Sequence, residues 1–151
     1  MTSETEKVNL MNMCMVCDND KVLVIDRKKQ NWPGITFPGG HIEKDEAIVD
    51  SIIREVKEET NITIESPILC GIVDWCNEKD KEIVLLYKAT SFSGSIQSSS
   101  EGDVWWERID NLSNLNLTPG FETYLKVFED ENFSELFYRR KEDDTWIEEL
   151  K

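Results

Sequence analysis

Positive charge and histidine are both scarce in this chain. Its 151 residues hold 17 Lys and Arg against 31 Asp and Glu, with a single histidine, for a formal net charge of -14. A field of that sign opposes docking to phosphate backbones and to anionic lipid, so polymeric nucleic acid and membrane surfaces are poor partners. A nucleotide is anionic as well, and a divalent metal is the simplest means of bringing one to so acidic a protein. Long apolar runs are absent too: none approaches the roughly 18 residues that span a bilayer, and "MTSETEKVNL" has no apolar stretch behind a basic cap. A cytoplasmic protein is expected. Cysteine is sparse, at Cys14, Cys17, Cys70 and Cys76. The first two lie three apart in a strand-like run, where they point to opposite faces, so reduced buried thiols are expected in place of a zinc site. The length suits one domain, residues 1–151, able to bury a core without disulfide or metal staples.

What is present reads as α+β. "NLMNMCMVC" and "KVLVIDR", separated by "DND", predict a β-hairpin, and "GITFPGG" a strand running into a glycine turn. "DEAIVDSIIREVKEETN" predicts a helix with Asp45 as N-cap before Glu46 and Asn61 as a left-handed stop. Two strands, "PILCGIVDWC" and "EIVLLYKATSF", flank a polar turn, and a third, "DVWWERI", follows a serine loop. On it Trp105 and Trp106 face opposite sides. A second helix starts near Pro119, and the tail from Phe133 is either a terminal hairpin or irregular packing. That order predicts a mixed sheet with helices on its faces.

The first helix raises the functional question. At about 100° per residue, Ile48, Val49, Ile52, Ile53 and Val56 form one apolar sector directed at the core. Glu55, Glu58 and Glu59 cluster beside it, on a stripe that is small at Ala47 and Ser51. Two carboxylates about 6 Å apart repel by roughly 0.7 kcal/mol in water and about 3 kcal/mol at an effective dielectric of ~20. Acidic charge also opposes the dipole at a helix C-terminus. A solvated acidic face accounts for "EVKEE" taken alone. Its context, with Gly39 and Gly40 just upstream where backbone can approach a metal or phosphate, favours convergent oxygen ligands for Mg²⁺.

The run "GHIEKDEAIVDSIIREVKEETNI" resembles the Nudix box, G-x5-E-x7-R-E-U-x-E-E-x-G-U with U aliphatic. Gly40, Glu46, Arg54, Glu55, Val56, Glu58, Glu59 and Ile62 fall in its places, and only the second glycine departs, as Asn61. Asn tolerates the left-handed conformation, so the helix stop survives. The resemblance implies a Nudix fold, an α/β/α sandwich around a mixed sheet, and hydrolysis of a nucleoside diphosphate linked to another moiety. It implies that Glu55, Glu58, Glu59 and the Gly40 carbonyl hold Mg²⁺, or Mn²⁺, with Glu46 and Arg54 supporting them. An ion pair from Arg54 to Glu58, one turn on, is compatible with that role.

Beyond the box, most of the chain to about Phe128 resembles the MutT-type 8-oxo-dGTP diphosphatases of Firmicutes, enzymes that cleanse the nucleotide pool. That likeness places Glu101, in "SSSEGDVWW", as a further metal ligand or as the base, with Glu55 the alternative base; otherwise Glu101 is an ordinary loop carboxylate. Arg27 is either a phosphate contact or a rim salt bridge, and Gly39 is placed beside the phosphates. Trp32 and Phe37 are candidate walls for the base. Two alternatives stand beside this reading: a Nudix hydrolase for ADP-ribose or another nucleoside diphosphate derivative, and a non-catalytic nucleotide sensor. The intact Glu55, Glu58, Glu59 and Arg54 speak against the sensor. A small-molecule nucleotide is the expected partner, and the chain a monomer or homodimer.

Overall fold

The computed structural model describes residues 4–28 and 33–151. Strands β1 (Val8–Asp18), β2 (Lys21–Arg27) and β3 (Gly34–Thr36) precede helix α1 (Ile48–Thr60). Strands β4 (Thr63–Glu65), β5 (Ile68–Cys76), β6 (Lys81–Ala89), β7 (Ser91–Ser93) and β8 (Gly102–Arg108) follow, then α2 (Phe121–Glu129), β9 (Glu135–Arg140) and β10 (Trp146–Leu150). The first two strands form the expected hairpin, pairing Asp18 with Lys21 across a turn in which Asn19 takes φ 55°. Beyond the turn they diverge. β1 runs parallel to β6, β6 antiparallel to β5, β5 parallel to β9 and β9 antiparallel to β10, while β2 carries β8 and β3. The sheet is mixed, as the element order predicted, and β4 pairs with β7 in a small separate ribbon.

Alternation along β1 divides the core in two. Cys14 and Val16 join Ile52 and Val56 of α1 on one face; Met15 and Cys17 join Phe121, Tyr124, Val127 and Phe128 of α2 on the other. One helix therefore covers each face, and the two neighbouring cysteines point apart. Burying side chains such as Ile52 and Leu136 contributes roughly 1.5–3 kcal/mol each. Trp105 packs toward the α2 side and Trp106 toward the α1 side. The tail is the hairpin of the two expected forms: β9 adds to the edge of β5 and sends Leu136 into the core. Among the described residues, no helix is long and apolar enough to cross a membrane.

The start of α1 corrects the sequence reading in two ways. Helical structure begins at Ile48, with Ala47 in the cap position and no side-chain cap. Asp45 does not fill that role; the carboxylate that closes the preceding turn is that of Glu46, accepting from the Glu43 N–H at 2.9 Å. Ile48 and Val49, assigned to the buried sector, are 38% and 42% exposed, because the first turn of the helix rims an open groove beside Val8 and Leu10. The stop is as expected, with Asn61 at φ 68° and its N–H bonded to the Lys57 carbonyl.

Where β1 and β2 diverge, the segment 38–42 runs along the open edge of β1. The N–H groups of Asn12 and Cys14 donate to the carbonyls of Gly40 and Pro38, and that of Ile42 donates to Leu10. This ladder brings the glycine turn against the last two turns of α1.

Candidate active site

The rim of α1 is anchored at Glu59, whose side chain is 0% exposed. Its carboxylate accepts from the Arg27 guanidinium at 2.7 and 3.2 Å and from the Gly39 N–H at 2.7 Å. Arg27 donates a further bond to the Gly39 carbonyl at 2.8 Å, and Glu101, on the loop entering β8, stands 4.0 Å from the same guanidinium. Burial raises the Glu59 pKa, Arg27 and the Gly39 N–H lower it, and Glu101 raises it again, leaving it at about 7. Glu55 is also pushed upward, first by burial and then by the charges of Glu58 and Glu101, against the pull of Arg54.

A second arginine organises the outer side. Arg54 forks onto Glu46 at 2.6 and 2.9 Å and reaches Glu55 at 3.0 Å, Glu58 at 3.3 Å and the His41 carbonyl at 3.2 Å. These hydrogen bonds, with that from the Glu43 N–H, hold Glu46 down at about 2. Glu58 is the most open of the three rim glutamates, its side chain 56% exposed.

The two glycines are required by closeness. A Cβ on Gly40 would sit 2.5 Å from the carboxyl carbon of Glu55, and one on Gly39 2.1 Å from the Asn12 carbonyl oxygen. Carboxylates and glycine backbone are thus brought together on one patch, with Glu101 arriving from across the sheet.

The family model of the NUDIX domain matches residues 11–130, a span that contains every one of these groups. The chain belongs to the NUDIX domain family. The uncharacterized Nudix hydrolase YvcI of Bacillus subtilis is 33% identical over 113 residues, covering 71% of this chain and 70% of that protein. The crystal structure of a mutator MutT protein from Bacillus halodurans superposes with a TM-score of 0.77 at 27% identity, covering 95% of this chain and 97% of the other. An ADP-ribose pyrophosphatase of Methanocaldococcus jannaschii is 34% identical over 55 residues, 36% of this chain and 32% of that protein. The fold is accordingly the Nudix fold and the protein a Nudix hydrolase.

Of the residues singled out in the sequence, this Nudix site gathers Glu46, Arg54, Glu55, Glu58, Glu59, Glu101, Arg27, Gly39 and Gly40. Arg27 forms a salt bridge with Glu59 and donates to the Gly39 carbonyl. Phe37 does not line a cleft. It is 0% exposed, edge-on to Phe121 at 4.7 Å and to Phe128 at 5.3 Å between centroids, because its strand turns it toward the α2 core. Trp32 lies outside the described residues. Asn12 and Ser51 were not anticipated: the buried Asn12 amide accepts from the Gly40 N–H at 3.0 Å and donates to the Ser51 hydroxyl at 2.7 Å. The signal for it was a lone amide in an otherwise apolar strand core, which a buried position tolerates only with partners.

Nudix hydrolases use divalent metals, typically Mg²⁺, and the donors fit such an ion. They are carboxylate and carbonyl oxygens, the hard ligands Mg²⁺ and Mn²⁺ prefer, and the cost of burying the Glu59 charge, to which the neighbouring Glu101 adds, is what a dication relieves. Among the described residues no three acidic side chains are already placed to hold a metal ion; Arg27 engages Glu59, and Arg54 engages Glu46, Glu55 and Glu58.

Proposed function

We propose that this chain hydrolyses the pyrophosphate bond of a nucleoside triphosphate, 8-oxo-dGTP or a related dNTP, to the monophosphate and pyrophosphate. The observation that carries the reaction class is the approach of Glu55 and Glu59 to the backbone of Gly40 and Gly39, with Glu58 tied to Glu55 through Arg54 and Glu101 standing 4.0 Å from Arg27. The near full-length likeness to a MutT protein supports the triphosphate. Glu55, Glu58, Glu59, Glu101 and the Gly40 carbonyl are the proposed holders of Mg²⁺ or Mn²⁺. When bound, the cation neutralises charge on the phosphate oxygens and lowers the pKa of water.

The chain's own groups do the rest. Glu46 and Arg54 hold Glu55 and Glu58 in place, and Arg27 fixes Glu59 against the glycine turn. Glu55 takes the proton from the attacking water: burial raises its pKa toward the range where a carboxylate is an effective base, whereas the Glu101 side chain is 42% exposed. Water attack at the β-phosphorus accounts for the two products. The carboxylate rim serves other diphosphate anhydrides equally well, and the match to the archaeal ADP-ribose pyrophosphatase makes ADP-ribose the second reading.

The test is a Mg²⁺-supplemented screen of 8-oxo-dGTP, dGTP and ADP-ribose with product identification. Pyrophosphate from oxidised or plain dGTP supports the proposal. Cleavage of ADP-ribose alone transfers it to the second reading, and binding without turnover of any nucleotide refutes both.

A further inference from the structure

Asn12 sits on strand β1, 28 residues before Gly40, yet both ends of its buried side chain are committed. In the antiparallel ladder between β1 and segment 38–42, Met11 faces His41, with Asn12 N–H donating to the Gly40 carbonyl and Ile42 N–H to Leu10. A regular ladder returns the Gly40 N–H to the backbone carbonyl of Asn12. It does not go there. It turns to the side-chain Oδ1 of the same residue at 3.0 Å, while Cys14 resumes the ladder by donating to Pro38.

The Gly39–Gly40 peptide is therefore rotated out of the sheet, and the carbonyl at its other end accepts from Arg27 at 2.8 Å. The preceding N–H, of Gly39, meets Glu59 at 2.7 Å. The amide nitrogen of Asn12 is tied in turn to Ser51 Oγ at 2.7 Å, and that hydroxyl donates to the Ile48 carbonyl at 2.6 Å, so the rotated peptide is referenced to the frame of α1 itself. Ser51 has to be small and polar for this, which is why the stripe leading to the rim glutamates narrows there.

We propose that Asn12 is a positioning residue: through the Gly40 N–H it holds the Gly39–Gly40 peptide turned toward Arg27 and Glu59, and so sets the geometry of the metal-binding rim. This rests on the reading of that rim as a metal site. With leucine at position 12, the Gly40 N–H can return to the backbone carbonyl and complete the ladder. The fold then keeps its hydrogen bonds while the Gly39 carbonyl leaves Arg27.

The experiment compares wild type, Asn12→Leu and Ser51→Ala by Mn²⁺ binding calorimetry, amide proton NMR of Gly39 and Gly40, and thermal melting. The expected result for Asn12→Leu is Mn²⁺ affinity weakened roughly 10- to 100-fold. The Gly39 and Gly40 amide shifts should move, with the remaining amides and cooperative melting retained. Ser51→Ala, which frees only the far end of the amide, is expected to give a smaller loss in the same direction. It decides the matter should Asn12→Leu not fold. Mn²⁺ affinity within twofold of wild type in the folded variant overturns the proposal, as does a loss accompanied by equal changes at all amides. Wild type that binds no Mn²⁺ overturns the rim reading itself, a failure distinct from unaltered binding in the variants.

Discussion

Replacing Glu59 by glutamine asks whether the rim stores unfavourable charge, and the structure gives the size of the answer. The carboxylate is fully buried and titrates at about 7 against an ordinary 4.5. Between those values the folded protein holds a proton that the unfolded chain has released. Stability from this group is therefore complete below pH 4.5, falls as pH rises, and is lost once pH passes 7. The shift corresponds to about 3 kcal/mol. Glutamine has no such titration. In urea unfolding with chelator present, Glu59→Gln should gain about 2–3 kcal/mol on wild type between pH 5 and pH 8, with an unchanged denaturant slope. Nucleotide hydrolysis should be lost at every pH. A stability difference that stays flat across this range, or shifts in favour of wild type as pH rises, refutes the reasoning.

Glu58 is half-exposed and, among the described residues, bonded to Arg54 alone, so Glu58→Gln should lower turnover by orders of magnitude while leaving Tm unchanged or slightly higher; near-normal turnover would tell against a ligand role. Arg54→Lys keeps the charge but not the fork that spans Glu46, Glu55, Glu58 and the His41 carbonyl, and should cost roughly 10- to 100-fold in kcat/KM, measured at saturating Mg²⁺. Leu136 is fully buried on β9, so Leu136→Ala should destabilise by about 2–5 kcal/mol in denaturant unfolding; a loss below 1 kcal/mol would show that the terminal hairpin is not part of the cooperative fold.

The features legible in the sequence were those whose causes are local. Alternation in "NMCMVC" sent Cys14 and Cys17 to opposite cores, and Asn61 took the left-handed stop that its short amide permits. The acidic rim was visible because Glu55, Glu58 and Glu59 follow the paired glycines at the spacing of the Nudix box. What stayed hidden depends on partners far along the chain. Glu46, eight residues from Arg54, directs its carboxylate there, and Ala47 takes the cap position expected for Asp45. Ile48 and Val49 look buried on a helical wheel, but the strands beneath them decide whether anything covers that turn. Phe37 belongs to the core because α2, over eighty residues later, supplies Phe121 and Phe128. The Asn12 bridge joins residues 28 and 39 positions away, beyond any periodicity.

The most direct measurement is initial velocity on 8-oxo-dGTP and dGTP as a function of Mg²⁺, starting from chelated protein and with phosphorus NMR of the products. The account predicts no turnover without the ion, a saturable rise with it, and pyrophosphate as the partner product of the nucleoside monophosphate. Undiminished hydrolysis in excess chelator, or orthophosphate released in place of pyrophosphate, would contradict it.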